Sequence, residues 1–486
     1  MAEDTIAAIA TGSVRSGVGM IRISGPAALA VAQHITHKNT LPPRQAVTSY
    51  FFTAPQHGTK VKKPDQALHK TTQKSDFGLV IYFPAPHSFT GEDVIELHGH
   101  GNPILLQHLL DTLVDLGCRP ARPGEFSQRA FLNNKMDLTQ AEAVADLIHA
   151  QSIQAAQSAF SSLQGVFARS VHQLQEQLNQ LRIYVEAAID FPDEDMDFLA
   201  DAMLPEGMLH QRIQAILLQL QQLAKQAQQG VLLQEGIKIV IAGPPNVGKS
   251  SLLNLLTGED TAIISDIAGT TRDLITAVIR IDGLPVQLID SAGIHNTDHP
   301  IEQQGIKKSL AQMQQADLIL LVCDSRKDHA DSMLHWFQKY HPLQSSLQQA
   351  GKQIPVILVQ NKIDLLSDVA RKNIQDVHKV SANMLAVGIS VTENQGINLL
   401  KQAIRQQTGF TEHTETPFSA RQRHVHILHR VQAMILAAST QFDHIHYGEL
   451  LAEDLRQAQL ALDEITGRHT SDQLLGDIFA GFCIGK

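Results

Sequence analysis

The spacing of apolar residues divides the chain into segments with a strand period and segments with a helix period. Near the N-terminus, short apolar runs between polar or glycine-containing stretches predict strands over residues 5–10, 20–24, 49–53, 78–83 and 94–98. Helical spacing runs from Pro26 to about residue 34 and recurs over residues 102–116, before Gly117. The polar stretch 54–76 is interpreted as a surface loop. Residues 1–133 are therefore predicted to form an α+β domain.

A second pattern, helical almost throughout, occupies two separated parts of the chain. Apolar residues recur every three or four positions over residues 139–190, about 206–229, 427–438, 447–462 and 473–479. The first of these helical stretches follows a polar turn and is expected to be capped near Asp137 or Thr139, with Glu142 completing a capping box. The second is expected to end at Gly230. We expect residues 134–235 and 410–486 to pack together as one helical domain.

Between these two parts, over residues 236–409, strongly apolar runs alternate with helical segments. The runs cover residues 237–242, 277–281, 286–289, 317–323 and 354–360. This alternation predicts a doubly wound sheet that binds its ligand at the carboxyl ends of the strands.

One loop of that sheet carries a phosphate-binding signature. The octapeptide from Gly243 to Ser250, GPPNVGKS, follows a predicted strand and opens a predicted helix. Its glycines let successive backbone N–H groups point at phosphate oxygens, and the helix N-terminus favours negative charge. Lys249 can reach the β- and γ-phosphates, and the Ser250 hydroxyl can ligate Mg²⁺.

Two further motifs at strand ends identify the nucleotide as GTP. Asp290 and Gly293 stand where the Mg²⁺-side acidic motif and the γ-phosphate contact belong. The Asp364 carboxylate can accept two N–H bonds from a guanine edge, which adenine does not offer. Thr271 supplies a second hydroxyl for Mg²⁺. The predicted nucleotide contacts are Asn246, Val247, Gly248, Lys249, Ser250, Ser251, Ser265, Asp266, Ile267, Ala268, Gly269, Thr270, Thr271, Asp290, Ser291, Ala292, Gly293, Asn361, Lys362, Asp364 and Ser390.

The fold class expected is thus a multidomain α/β protein. A P-loop GTPase domain is inserted into an all-helical domain and is preceded by an α+β domain. Ile294 follows the Asp290 motif where Ras-type enzymes carry a water-orienting glutamine, and no arginine finger is evident. Hydrolysis therefore needs another group that positions water and another positive charge.

Composition narrows the classes of function. The 486 residues are 43% hydrophobic with a formal charge of -10, so the chain is not a generally basic nucleic-acid binder. Basic residues cluster in two places, each either solvated surface or a local RNA patch. They are Arg119, Arg122, Arg129 and Lys135 in one cluster and Arg421, Arg423 and Arg430 in the other. The three cysteines and the lack of a leader or a long apolar run predict a cytoplasmic protein without a membrane span.

Several polar positions outside the nucleotide motifs leave alternatives open. Arg22 offers a planar fork for a carboxylate or phosphate, or is a surface arginine beside a turn. His98 and His100 suggest a metal but lack a third ligand. Asp190 opens an acidic stretch interpreted as a linker rather than a calcium loop. Cys483 is a catalytic thiol, a packing group or a residue of a frayed tail.

Several stretches together resemble the bacterial tRNA-modification GTPase family MnmE, also called TrmE. They are residues 17–25, 90–101 and 119–142, the nucleotide motifs and the terminal FCIGK over 482–486. The terminal motif is the most specific, and the resemblance covers essentially the whole chain. It implies a GTPase that works with the FAD- and NADH-dependent protein MnmG (GidA) as a heterotetramer. The pair would attach an aminomethyl or carboxymethylaminomethyl group to carbon 5 of the wobble uridine in tRNA.

The family resemblance also implies ligands beyond GTP and Mg²⁺. A tetrahydrofolate derivative would supply the one-carbon unit, and the first domain would also form a homodimer. By motif match, the residues that contact the tetrahydrofolate derivative are Arg22, Glu96, Lys135 and Lys486. These assignments give a function to side chains that composition leaves ambiguous.

K⁺-stimulated hydrolysis by paired nucleotide domains is implied as well, with the cation standing where an arginine finger's charge stands. The matching K⁺ ligands are Asn246, Ser265, Ile267 and Thr270. Glu302 matches the glutamate that organises water, and Cys483 is a candidate catalytic group.

A GTPase switch of the ribosome-assembly type is the alternative from another class. Such a protein would use hydrolysis only to time its release from a partner, and the nucleotide motifs alone do not separate the two. Folate binding by residues 1–135 with the C-terminal segment would favour modification chemistry.

Overall fold

The computed structural model describes most of the chain. The described residues are 4–12, 14–53, 73–190, 207–259, 276–290, 316–326, 354–372, 374, 376–381, 383–411, 418–445, 447–468, 472–482 and 485. They form two compact units. The first comprises Met1–Ala145, Leu163–Leu217 and Arg430–Lys486, and the second comprises Asp146–Ser162 and Leu218–His429.

A mixed sheet of six strands forms the centre of the first unit. The strands are β1 (Ile6–Ile9), β2 (Ser16–Ser24), β3 (Val47–Thr53), β4 (Gln73–Phe83), β5 (Val94–Gly101) and β6 (Arg119–Pro120). Their order is β3-β4-β5-β2-β1-β6, antiparallel except for the parallel pair β1 and β6. Helices α1 (Ala28–Thr36) and α2 (Pro103–Asp115) bury apolar side chains against this sheet. The predicted α+β pattern of this region is confirmed.

Two local predictions in this sheet need correction. Residues 73–76, assigned to a surface loop, begin β4, where Asp76 accepts hydrogen bonds from the backbone and ring nitrogens of His100. These hydrogen bonds to a distant part of the sequence hold the polar segment in an extended conformation. They cannot be predicted from the polarity of the segment itself. Helix α1 begins at Ala28 rather than at Pro26, because Pro26 and Ala27 form a turn before it.

Helices complete the first unit. They are α3 (Glu125–Leu132), α4 (Leu138–His149), α6 (Val166–Asp190), α12 (Gly448–Thr466) and α13 (Asp472–Ala480), with α4 ending in the second unit. Helix α3 replaces part of the predicted polar turn. Helix α6 packs on α12, and α13 packs on α3 and α4. The C-terminal helices therefore pack against N-terminal ones, as the sequence pattern predicts.

The cap of α4 is Asp137, one of the two predicted cap positions, and it lies two residues before Thr139. Asp137 Oδ1 accepts from the backbone N–H of Gln140 at 3.0 Å, and Gln140 Oε1 accepts from the backbone N–H of Asp137 at 3.0 Å. The box is therefore Asp137 with Gln140, and the predicted pairing of Thr139 with Glu142 is wrong.

A seven-stranded sheet forms the core of the second unit. Its strands are β7 (Ile237–Ala242), β8 (Thr276–Ile281), β9 (Leu284–Asp290), β10 (Leu318–Asp324), β11 (Val356–Asn361), β12 (His378–Ser381) and β13 (Met384–Gly388). The order is β12-β13-β11-β10-β7-β9-β8, with only β8 and β12 antiparallel to their neighbours. The five predicted strands are confirmed, whereas the sequence analysis missed β12 and β13. A parallel sheet brings the carboxyl ends of β7, β10 and β11 to one edge.

Further helices belong to the second unit or extend into it. They are α5 (Ile153–Leu163), α7 (Met208–Glu235), α8 (Lys249–Glu259), α9 (Asp368–Lys372), α10 (Ile397–Thr408) and α11 (Gln422–Ile445). Helix α7 continues through Gly230 and ends at Glu235, so the predicted stop at Gly230 is wrong. A Cβ at Gly230 would lie 2.7 Å from the carbonyl oxygen of Phe418. Glycine is needed there for close packing and not for ending a helix. The acidic stretch 191–197 lies outside the described residues.

Candidate functional site

The phosphate-binding loop occupies the turn between β7 and α8, as predicted. Asn246 has a φ of +63°, and Gly243 and Gly248 have φ values of +143° and +102°. A Cβ at Gly243 would lie 2.1 Å from the carbonyl oxygen of Val322, and one at Gly248 would lie 2.4 Å from Nδ2 of Asn361. The loop is therefore packed against β10 and β11 at positions that only glycine can occupy.

Polar groups of the first turn of α8 face this loop. The ammonium of Lys249 donates to the carbonyl oxygens of Gly243 at 3.0 Å and Pro244 at 2.8 Å. Ser250 and Ser251 follow on the exposed side of the helix start. A lysine and a hydroxyl at a helix N-terminus are the groups that a triphosphate and its Mg²⁺ require.

The second motif begins at the last residue of β11. Asn361 is 3% exposed, and its Nδ2 donates to the carbonyl oxygen of Val247 at 2.8 Å. Its Oδ1 accepts from the backbone N–H groups of Lys362 at 2.9 Å and Val391 at 3.3 Å. Asn361 therefore joins the phosphate loop to the loop after β13.

Asp364 and Ser390 complete this corner of the described site. Asp364 lies in a short 3-10 turn, Ile363–Leu365, and its Oδ1 is buried without a hydrogen-bond partner in the part of the chain that the structure describes. Ser390 is fully buried, and its Oγ accepts from the backbone N–H of Glu393 at 3.1 Å. A buried carboxylate oxygen without a partner fits the two N–H donors of a guanine edge.

One charged group at this edge of the sheet was not predicted from the sequence. Asp324, the last residue of β10, accepts from Lys362 Nζ at 2.8 Å and from Arg326 Nη2 at 2.8 Å. The hydrogen bond from Arg326 holds the pKa of Asp324 well below its usual range, despite burial, and Lys362 adds to this. An acidic residue at the end of a continuous apolar run was the available signal in the sequence.

The remaining predicted nucleotide and cation residues lie outside the described part of the chain. They are Ser265, Asp266, Ile267, Ala268, Gly269, Thr270, Thr271, Ser291, Ala292, Gly293 and Glu302, and Asp290 is described only as the end of β9.

In the first unit, Arg22 and Glu96 face each other across β2 and β5. Arg22 Nη2 donates to Glu96 Oε1 at 2.9 Å, and the other carboxylate oxygen lies 3.2 Å from Nε2 of His98. The Arg22 guanidinium lies 5.4 Å from the ring centre of Phe89 and 5.8 Å from that of Phe126. An arginine–carboxylate pair beside an aromatic ring can hold a flat ligand that carries both N–H donors and carboxylates.

The end of the chain reaches this pair. Arg22 Nη1 donates to the carbonyl oxygen of Gly485 at 3.4 Å, and Phe482 is buried with its ring 5.3 Å from that of Phe479. The described part of the terminus is thus docked rather than frayed. Lys135 is exposed and lies beside Gly91, in the loop before β5. Cys483 and Lys486 lie outside the described residues.

The first basic cluster is largely neutralised. Arg129 is 4% exposed and contacts Asp4, Glu92 and Glu125 at 2.8, 3.0 and 3.3 Å. Burial raises the pKa of Glu125, but the hydrogen bonds from Arg119 and the Arg122 backbone outweigh it and bring the pKa to about 2. This network holds the N-terminal segment and the loop before β5 on α3.

Two arginines of the second basic cluster also form ion pairs with carboxylates. Arg421 pairs with Asp146 at 2.9 Å, and Arg430 pairs with Glu464 at 2.7 Å. In both clusters, the arginines that form these pairs already have carboxylate partners. The pairs therefore favour structural or solvated surface over a phosphate-binding patch as the interpretation of the two clusters.

Two other observations concern metals and membranes. His98 pairs with Glu96 and His100 with Asp76, and the described ranges hold no group of three or more His, Cys, Asp or Glu side chains suited to a metal. No helix within those ranges is both long and apolar enough to cross a bilayer.

The phosphate loop, the parallel sheet and the Asn361 motif together define a GTPase of the P-loop class, a GTP hydrolase. The sequence model for the GTP-binding protein TrmE N-terminus matches residues 5–135, and the model for the MnmE helical domain matches residues 138–483. The chain belongs to the MnmE family of tRNA modification GTPases.

Curated relatives align over nearly their whole length. The tRNA modification GTPase MnmE of Coxiella burnetii (strain Dugway 5J108-111) is 46% identical over 486 residues, covering 99% of each chain. That of Saccharophagus degradans is 47% identical, covering 100% of this chain and 99% of the relative. Among solved structures, the G domain of the T. maritima FeoB iron transporter is 26% identical, with a TM-score of 0.26, over 35% of this chain and 98% of that one.

Proposed function

We propose that the chain hydrolyses GTP in the modification of the tRNA wobble uridine. It acts as a homodimer, in a heterotetramer with the FAD-dependent partner MnmG (GidA). Together they add an aminomethyl or carboxymethylaminomethyl group to carbon 5 of the base. Full-length similarity to tRNA modification GTPases supports this proposal.

Three domains divide this work: residues 1–133 for folate and dimerisation, 134–235 with 410–486 as the helical domain, and 236–409 for GTP. The family models, which meet between residues 135 and 138, support the first boundary. The working compartment in this proposal is the cytoplasm.

In the nucleotide domain, Lys249 binds the β- and γ-phosphates, and Ser250 and Thr271 ligate Mg²⁺. Asp364 accepts from the guanine edge, and Glu302 orients the attacking water. The buried, unpartnered Oδ1 of Asp364 supports this assignment among the described residues.

In the first domain, Arg22, Glu96, Lys135 and Lys486 bind a tetrahydrofolate derivative that carries the one-carbon unit. The single observation that carries this proposal is the Arg22–Glu96 pair, set between Phe89 and Phe126 and reached by the carbonyl of Gly485. Cys483, close in sequence to Gly485, is a candidate reactive group of the same site.

Potassium is the second cation in this proposal. Asn246, Ser265, Ile267 and Thr270 are its ligands, and K⁺ supplies the positive charge that an arginine finger supplies elsewhere. Asn246 is exposed in the phosphate loop with its backbone held in the left-handed region, so its side-chain oxygen is available to a cation.

Folate binding is the deciding experiment. Binding of 5-formyltetrahydrofolate to the full chain is measured by calorimetry, with Glu96→Gln as the site variant and Glu453→Gln, an exposed change on α12, as the control. We expect the wild type and the control to bind alike and Glu96→Gln to bind at least about tenfold more weakly, because the charge-assisted hydrogen bonds are lost. Absence of binding to the wild type would favour the ribosome-assembly type of GTPase switch.

The cation proposal is tested separately. The GTPase rate is compared in KCl and NaCl for the wild type and for Asn246→Ala, and GDP affinity is measured in both salts. We expect K⁺ stimulation that Asn246→Ala abolishes, with a GDP affinity of the variant that is the same in KCl and NaCl. Equal wild-type rates in the two salts would remove K⁺ from the mechanism.

A further inference from the structure

The ammonium of Lys362 lies between acceptors from two different elements. Its Nζ donates to Asp324 Oδ2 at 2.8 Å and to the carbonyl oxygen of Asn246 at 3.0 Å. The side chain is 27% exposed, and the Lys362 backbone is fixed by its N–H bond to Asn361 Oδ1. The ammonium of the lysine in the guanine motif therefore binds both β10 and the phosphate loop.

Asp324 is itself rigidly fixed. It is 5% exposed, and it accepts from the backbone N–H and Nε of Arg326 at 3.2 and 3.0 Å, in addition to Nη2 and Lys362. Arg326 forms a planar fork on the carboxylate and remains 41% exposed on its outer side. The carboxylate is thus a permanently charged anchor with defined geometry.

Two consecutive carbonyls of the phosphate loop depend on this arrangement. Lys362 binds the carbonyl of Asn246, and Asn361 binds that of Val247. Asn246 has a left-handed backbone conformation, which asparagine adopts at an energetic cost that surrounding contacts must offset. The bond from Lys362 is one such contact, and Asp324 determines where the ammonium lies.

We propose that Asp324 is a positioning residue for guanine nucleotide binding, which holds Lys362 on the phosphate loop and is itself held by Arg326. It does not touch the nucleotide. Without the charge of Asp324, the Lys362 ammonium is free to turn toward solvent, and the Asn246 carbonyl loses its hydrogen bond from Lys362. The proposal rests on the nucleotide site assigned above.

The test measures GDP and GTP dissociation constants and the dissociation rate of a fluorescent GDP on the full chain. Asp324→Asn keeps the shape and removes the charge. Arg326→Ala leaves the Asp324 carboxylate in place and removes the guanidinium that donates to it. Asp317→Asn is the matched control, because Asp317 is a carboxylate at the opposite end of the same strand that accepts from the Lys238 backbone at 2.9 Å.

We expect Asp324→Asn to weaken GDP and GTP binding by about ten- to a hundredfold, the effect of one charge-assisted hydrogen bond. Arg326→Ala should weaken binding less, and Asp317→Asn should leave it within about twofold of wild type. The kcat at saturating GTP should stay near the wild-type value, so that the loss falls on KM.

A double-mutant cycle separates positioning from general destabilisation. If Asp324 acts through Lys362, then Asp324→Asn combined with Lys362→Met should bind no more weakly than Lys362→Met alone. Additive losses, or a lowered thermal midpoint without nucleotide and an unchanged dissociation constant, would overturn the proposal. If the wild type binds no guanine nucleotide, the site assignment fails; if Asp324→Asn binds as tightly as wild type, only this inference fails.

Discussion

At the scale of single residues, Asp364 should determine which base is bound. Its buried oxygen lacks a partner among the described residues, and a guanine edge offers two N–H donors. Replacing Asp364 with Asn removes one acceptor and introduces an N–H₂ donor that suits the carbonyl of xanthine. We expect Asp364→Asn to bind GDP about a hundredfold more weakly and to gain affinity for XDP.

Equilibrium binding of fluorescent GDP and XDP measures this change. Asp368→Asn, in the exposed first turn of α9, is a control for altered charge nearby. If Asp364→Asn loses both nucleotides equally, the variant has damaged the site, and Asp364 does not read the base.

Glu125 should make the stability of the first unit depend on acid pH. Its pKa is about 2 in the folded chain against an ordinary value of 4.5. A carboxyl group with a lowered folded pKa contributes stability that is complete above its unfolded pKa and is lost as the pH falls through its folded pKa. The contribution is at most about 3 kcal/mol and should disappear between roughly pH 4.5 and pH 2.

Urea unfolding followed by circular dichroism at several pH values in this window measures the effect. Glu125→Gln should be less stable than wild type at neutral pH and lose less stability on acidification. Glu453→Gln is the control, because Glu453 has a similarly lowered pKa of about 2 but is exposed, where ion pairs contribute little. Parallel acid profiles for wild type and Glu125→Gln would contradict the prediction.

Residues whose function is indicated by a local sequence motif could be predicted from the sequence. Lys249 and Asp364 follow from their motifs, because a glycine loop between strand and helix and a polar group at a strand end are local features. The bond from Asp324 to Lys362 could not be predicted, since it joins positions 38 residues apart in sequence. The pairing of Arg22 with Glu96 depends on strand register, and the family resemblance had to suggest that both matter.

At the scale of elements, the capping box of α4 can be tested directly. Asp137→Ala removes the acceptor for the Gln140 N–H and should destabilise the helix start by about 1 kcal/mol. Gln140→Ala should cost less, and the double variant should cost less than the sum because the two bonds are reciprocal.

Hydrogen exchange of amides near residue 140 follows this change with local resolution. Glu142→Gln is a useful comparison, because Glu142 was the partner expected from the sequence. A larger loss of protection at the helix start in Glu142→Gln than in Asp137→Ala would contradict the cap seen in the structure.

The elements that sequence reasoning missed share a physical cause. The β13 segment, Met384–Gly388, is short and fully buried, so it shows neither alternation nor length. Helix α3 carries Glu125 and Arg129, whose burial depends on an ionic network rather than on apolar spacing. The strands around β7 were predictable because parallel sheets require continuous apolar runs.

At the scale of the whole chain, described residues near the two ends of the sequence meet in the first unit. Phe482 packs with Phe479 and with residues of α3 and α4, and Gly485 lies against the end of β1. The described residues of the C-terminal motif, Phe482 and Gly485, therefore pack against the N-terminal part of the chain. Of the alternatives that the sequence leaves open for the terminus, a frayed tail does not apply to Phe482 and Gly485. The contacts of Phe482 come from positions more than 300 residues away in sequence, such as Leu138.

Gly124 offers a test of this docking. Its φ is +65°, and a Cβ would lie 2.6 Å from the carbonyl oxygen of Phe479 and 2.9 Å from Cβ of Phe482. Gly117 has a φ of +100°, but a Cβ at that position would have no neighbour within 4 Å among the described residues. Gly117→Ala should therefore cost only the left-handed conformation, about 1 kcal/mol, whereas Gly124→Ala should also push α13 away.

Hydrogen exchange of the full chain distinguishes the two costs. In Gly124→Ala, amides of α13 (Asp472–Ala480) should exchange markedly faster than in wild type, because α13 no longer packs closely on α3. In Gly117→Ala the same amides should keep their protection, since only the turn after α2 is strained. Folate binding, if it uses the Arg22 pair and the Gly485 carbonyl, should weaken in Gly124→Ala and not in Gly117→Ala. Equal exchange of α13 in both variants would mean that the chain end does not depend on this contact.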